Sequence, residues 1–189
     1  SERKTRLQFK STDITGTTIG GDFAMTDHTG QPRKLSDYKG KIVLLFFGFT
    51  HCPDVCPTTL SEAAAAMKVL GERSKDVQVL FVTVDPERDT QELLAQYVPA
   101  FDPRFVALRG TREELEAAAR QFKVYYQKVP TPGSYTMNHT AGTFVLDRQG
   151  RLPCRRVVSA EGVVGRHRDR DERPVDAGQP RLRADGQTA

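Results

Sequence analysis

A chain of 189 residues, 38% hydrophobic and 8% aromatic, is the size of one domain with decorations. Its formal net charge of +4 is too small to argue for nucleic acid, and it has no run of apolar residues long enough to span a membrane. Three cysteines exclude a disulfide-stapled mini-fold, and two of them, Cys52 and Cys56, lie close enough in sequence to suggest metal or redox chemistry.

The chain starts SERKTR, with neither Met nor an apolar signal core. That is the pattern of a cytosolic protein, or of one whose upstream anchor or signal has been left out. Residues 1–21 are polar and turn-rich and read as an extended lead-in. Phe23 to Asp27 reads as a short strand and His28-Thr29-Gly30 as a turn. Arg33 to Gly40 then approaches a buried strand, so a β-hairpin precedes the core. Ile42 to Phe49 (IVLLFFGF) is that buried strand by length and composition, and Gly48 is its one small residue.

A helix is expected from Pro57, at or near the first helical position, to about Ser74. Leu60, Ala63, Ala64, Met67 and Leu70 share a face of it. Val77 to Val84 is a second buried strand, closed by Asp85-Pro86. Thr90 to Phe101 is a short helix with Asp89 or Thr90 as its N-cap. Phe105 to Leu108 is a short strand, and Thr111 opens a helix through about Lys123 with a capping box to Glu114. Val124 to Pro132 is extended and then breaks, and Gly133 to His139 reads as a loop. Thr140 to Leu146 is a strand, and Asp147 to Gly150 a hairpin turn. That turn predicts one more antiparallel strand and then a closing helix. Strands alternating with helices imply a mainly parallel sheet covered on both faces, an α/β fold. The domain is expected over residues 22–150.

From Arg151 the composition changes. Residues 151–189 hold nine Arg and no Lys, against ten Arg and nine Lys in residues 1–150. This stretch has no Phe, Tyr or Trp, and beyond Val164 it has the composition of a disordered segment. The two readings are an ordinary charged tail and a coding frame lost near Arg151. Loss of Lys with gain of Arg, Gly, Asp and Pro is what an out-of-frame read of a GC-rich gene gives.

Cys52 and Cys56 fall where a buried strand gives way to a helix N-terminus, a place that favours thiolates. Two close thiols can form a disulfide, bind a soft metal, or act in turn as nucleophile and resolver. Thioredoxin-type catalysis usually has two intervening residues; here there are three, Pro53, Asp54 and Val55. A third donor is needed for copper or zinc, and there are four histidines to supply it. His28 reads as a solvated turn residue and His167 lies in the tail. His51 is an auxiliary ligand or a loop residue. His139, before the Thr140–Leu146 strand, is a ligand or a structural histidine.

FFGFTHCPDVCPTTL, then FVTVDPERDT, then YTMNHTAGTFVLD resemble the Sco family (also called SenC), copper-binding assembly proteins of cytochrome c oxidase. The lead-in GGDFAMTDHTGQPRKLSDYKGK fits too. The resemblance covers roughly residues 9–150 and is strongest to bacterial members. It implies a thioredoxin-like fold with an added N-terminal hairpin. It also implies that Cys52, Cys56 and His139 are ligands for Cu(I) or Cu(II). Asp85 would lie in an acidic loop near the site, linked to metal handling or partner contact, or would simply cap a strand end.

The implied function is a copper metallochaperone for the binuclear copper centre of cytochrome c oxidase subunit II, rather than a turnover enzyme. The alternatives are a thiol–disulfide oxidoreductase using a Cys52–Cys56 disulfide and a peroxiredoxin-like peroxidase; neither needs His139. Other periplasmic copper chaperones or thiol oxidoreductases are further expected partners. Members face the periplasm, or the mitochondrial intermembrane space, from an N-terminal membrane anchor. The departure after Gly150 leaves the final strand poorly formed and the closing helix missing. Cys154 is not a family ligand.

Overall fold

The structure, a computed structural model, describes residues 12–13 and 16–156. Two apolar clusters sit on opposite faces of one sheet. The alternation of the central strands builds both. In β4 (Ile42–Gly48), Val43, Leu45 and Phe47 point to one cluster and Phe46 to the other. In β5 (Val77–Thr83), Leu80 and Val82 face the first and Val79 and Phe81 the second. Strands buried on both faces read as continuous apolar runs, which is why both are plain in the sequence.

β5 pairs in parallel with β4 on one side and with β6 (Val106–Arg109) on the other. The remaining pairings of this sheet are antiparallel. β2 (Ala24–Asp27) joins β6, and β3 (Pro32–Lys34) joins β2 as the expected N-terminal hairpin. On the far side, β9 (Thr143–Leu146) joins β4, β10 (Cys154–Arg156) joins β9, and β1 (Thr12–Asp13) joins β10. The sheet is therefore mixed, with its parallel part at the centre. It takes β1 from the lead-in and β10 from the stretch after Gly150. The antiparallel strand predicted after the Asp147–Gly150 turn forms over three residues. The expected closing helix falls after residue 156, outside the described residues.

α1 (Val55–Leu70) and α2 (Gln91–Tyr97) cover one face through Leu60, Met67 and Leu94. α3 (Arg112–Phe122) covers the other through Leu115, Ala118, Ala119 and Phe122. Thr111 and Glu114 make the expected reciprocal capping box at its start. α1 ends earlier than expected: Gly71 takes φ +53°, and Gly71–Asp76 is a 3₁₀ turn.

The segment read as a break and a loop is a second, two-stranded sheet. β7 (Tyr126–Thr131) and β8 (Ser134–His139) pair antiparallel through the turn at Pro132-Gly133, with Gly133 at φ +74°. Pro130 is tolerated because each strand of such a ribbon has an open edge.

Phe144 is fully buried and meets both Phe47 and Phe122 ring to ring. Phe144→Ala is expected to destabilise the chain by about 3–5 kcal/mol, measured by denaturant unfolding; a loss under about 1 kcal/mol would mean that this face is not well packed.

Candidate metal centre

The cysteine loop begins where β4 stops. Helix α1 starts at Val55, two residues before Pro57, so Cys56 lies inside its first turn. Asp54 is the N-cap, but its side chain makes no capping bond and instead accepts from Thr58 Oγ1 at 3.3 Å. The backbone N–H groups of Asp54 and Cys56 lie close enough to the sulfur of Cys52 to help hold its thiol down. Donors that a helix N-terminus leaves over are thus aimed at a thiolate.

Both thiols are free. Their hydrogen bond divides the charge between them. The bond from Cys56 is the largest cause holding the Cys52 thiol far below its ordinary range. Burial opposes that drop, and a hydrogen bond with His139 adds to it. The same bond to Cys52, and then burial, push the Cys56 thiol up. Cys52 is the half-buried thiolate and Cys56, 1% exposed, the buried thiol. Cys56 can lie so deep because residue 48 is glycine. A Cβ there would stand 2.7 Å from Cys56 Sγ and 2.9 Å from Phe81 Cε2, both inside contact distance.

His139 ends β8 rather than preceding the next strand. Tyr135, Met137 and His139 alternate onto one face of β8. Tyr135 Oη donates to Asp85 at 2.8 Å, Met137 is buried in the core, and the His139 ring stands edge-on to Phe49 at 5.7 Å. His139 Nδ1 lies 3.2 Å from the Thr140 carbonyl. A carbonyl only accepts, so a hydrogen on Nδ1 would meet it, and in that tautomer Nε2 is the nitrogen open to an ion. Among the described residues, no three His, Cys, Asp or Glu side chains are already gathered into a closed metal cage. What the fold provides is a line of contacts from Cys56 to Cys52 to His139. Two sulfurs and an imidazole are a donor set that could hold a soft metal.

A family model described as SCO1/SenC matches residues 11–157. The chain belongs to the SCO1/SenC family. It is 40% identical over 155 residues to the mitochondrial SCO2 homolog of Danio rerio, covering 79% of this chain and 56% of that protein. The chain spans about half the length of the curated relatives it matches. Among solved structures it resembles copper-bound ScoI of Bradyrhizobium japonicum, at 43% identity and TM-score 0.70, covering 72% of this chain and 88% of that one. It also resembles apo Sco1 of Thermus thermophilus, at 44% identity and TM-score 0.69, covering 81% and 89%. The thioredoxin-like α/β fold implied by the motifs is the fold of this SCO1/SenC chain.

The other candidates sort by their contacts. His51 is half exposed, and its Nδ1 lies 3.2 Å from Thr50 Oγ1 and 4.0 Å from Asp89. Asp85 is buried, accepting from Arg88 Nε at 2.5 Å and from Tyr135 Oη. It therefore grips the hairpin that carries His139. His28 lies in the hairpin turn as expected but is half-buried rather than solvated: its Nδ1 accepts from the Ala107 N–H at 3.1 Å, and its backbone N–H donates back to the Ala107 carbonyl. Cys154 is buried in β10 opposite Val145. His167 lies outside the described residues. Sequence reasoning missed Asp89, which it offered only as a helix cap; Thr90 caps α2 instead. Its signal was present as the third acid of VDPERD.

Two outcomes follow for the metal-free, reduced chain. Alkylation of Cys52 should be flat with pH through neutrality, whereas an ordinary thiol with a pKa of about 8.5 gains rate through that range. A tenfold gain per pH unit from 6 to 8, which is the slope for an undissociated thiol on the order of pKa 8.5, would disprove the thiolate. Gly48→Ala should cost about 1–3 kcal/mol by overpacking and raise the reactivity of Cys56 by displacing it. Unchanged stability and Cys56 labelling would show that the contact is slack.

Proposed function

We propose that the chain is a copper metallochaperone in which Cys52, Cys56 and His139 hold the ion as cargo for cytochrome c oxidase. The observation that carries this reading is that the Cys56 thiol and the His139 imidazole, the latter on a separate sheet, both stand close enough to the Cys52 sulfur to hold its thiol down. A dithiol enzyme needs no such imidazole. Copper fits because thiolates favour Cu(I), while the imidazole also suits Cu(II). Membership of the SCO1/SenC family and likeness to copper-bound ScoI support it. The recipient is the binuclear copper centre of subunit II. Other periplasmic copper chaperones or thiol oxidoreductases supply the ion or reset the thiols. The protein works on the periplasmic side of the bacterial inner membrane, held by an N-terminal anchor.

Each residue has a task in this reading. Cys56, buried and protonated, gives up its proton as the ion enters. Cys52 is the half-exposed sulfur that a partner's thiolate approaches first. In the metal-bound form His139 would donate through Nε2, with an Nδ1 hydrogen facing the Thr140 carbonyl.

A second reading, a thiol–disulfide reductase, is favoured by the same division of charge. Cys52 thiolate would attack a partner disulfide, forming a mixed disulfide and releasing one partner thiolate. Cys56, on losing its proton, would then attack Cys52, closing a Cys52–Cys56 disulfide and releasing the second partner thiolate. Two electrons pass to the partner. This step would prepare cysteines for copper.

Titration of reduced protein with Cu(I) against a competing chelator tests the first reading. One ion per chain is expected. Cys52→Ser, Cys56→Ser and His139→Ala should each weaken binding by more than about a hundredfold, the upper end seen for changes outside the ligands themselves. Full affinity in His139→Ala would defeat the three-ligand site.

A further inference from the structure

The two arms of the centre belong to different sheets. Cys52 and Cys56 follow β4 of the main sheet, and His139 ends β8 of the two-stranded one. No strand ladder joins the two among the described residues. One short loop touches both arms: residues 85–89, between β5 and α2.

The grip on the cysteine arm is Asp89, a carboxylate with no exposed surface. Its Oδ1 accepts from Thr50 Oγ1 at 2.6 Å, and its Oδ2 from the Thr50 N–H at 3.1 Å and Thr83 Oγ1 at 2.6 Å. A buried carboxylate is tolerated only when its lone pairs are met. Thr50 meets two of the three bonds, so moving the cysteine loop would strip the carboxylate of most of its partners. Cys52 is two residues further on.

The hairpin arm is gripped by Asp85 and Arg88. Asp85 accepts from Tyr135 Oη. Arg88 donates Nη1 to the Tyr135 carbonyl at 2.8 Å and lies over its ring, 3.7 Å from the centroid. Asp85 and Arg88 also bind each other, so they act on Tyr135 as one unit. Tyr135 shares its face of β8 with His139. The loop is itself fixed to the main sheet, because Arg109 of β6 donates to the carbonyls of Pro86 and Asp89 at 2.8 and 3.0 Å.

We infer that Asp89 and Asp85 are positioning residues that, through Thr50 and Tyr135, set the separation between the cysteine sulfurs and the His139 imidazole. The inference rests on the proposed metal site. Neither carboxylate is a ligand in it: each has its oxygens occupied by protein donors. The loop acts as a bracket, and releasing either arm lets the three donors drift apart.

The test keeps both rings and the backbone in place. Thr50→Val removes the hydroxyl but not the N–H, Tyr135→Phe removes only the Oη, and Thr50→Ser restores the hydroxyl. Cu(I) affinity is read by chelator competition, and the Cu(II) adduct by its thiolate charge-transfer band. Thr50→Val and Tyr135→Phe are each expected to weaken Cu(I) binding by about 10–100-fold, the range for outer-sphere partners, and to shift the band. Thr50→Ser should match the parent. The double variant should be little worse than the weaker single, because one bracket is already open. Parental affinity and an unmoved band in both singles would overturn the inference while leaving the copper site standing. Strictly additive losses would overturn the shared bracket. A parent chain that binds no copper would instead overturn the metal site, and the inference with it.

Discussion

A missing side chain decides where the chemistry sits. The sulfur of Cys56 occupies space that any larger residue at position 48 would fill. That contact draws the first turn of α1 down onto the end of β4. It buries one thiol and leaves the other at the rim. Phe81 presses on the same gap, so the neighbouring strand enforces it as well. The rest of the site follows from this close approach, because it fixes where Cys52 meets the helix N-terminus.

The electrostatics are then simple. Asp54 is at the N-cap but does not cap, and Pro57 has no N–H to offer. Free donors of the first turn therefore face Cys52. A negative sulfur there is supported by backbone dipoles, by one thiol and by one imidazole, without a lysine or arginine beside it in this set. Support of this kind does not repel an incoming cation as a fixed positive charge would. Each donor can also be displaced singly, which would suit the exchange of partners that the proposed role requires.

Much of this was legible in the chain itself. The apolar runs of β4 and β5, the Thr111–Glu114 box and the glycine before the cysteines each follow from one local rule. The placement of Cys52 and Cys56 at a strand-to-helix junction did too. What was not legible depends on contacts far apart in sequence. Pro130, Pro132 and Gly133 read as breakers because propensity reports isolated segments, whereas a two-stranded ribbon has open edges and needs such a turn. His139 was seen as a candidate donor but assigned to the wrong element for that reason. Asp89 carried an obvious local role as a cap. Its real partner, Thr50, is 39 residues away. Strands β1 and β10 are two and three residues long, below what periodicity can register.

The separate hairpin has a further consequence. Opening free energies in a protein vary by region, and a two-stranded ribbon tied down by a few side chains lies near the low end. β4 and β5, by contrast, are held on both edges and covered on both faces. His139 and the two cysteines therefore belong to different cooperative units. In the proposed metal site the imidazole would then leave in a local fluctuation that costs far less than global unfolding, while the sulfurs stay in place. Such a site can be slow to dissociate as a whole and still be quick to lose one donor.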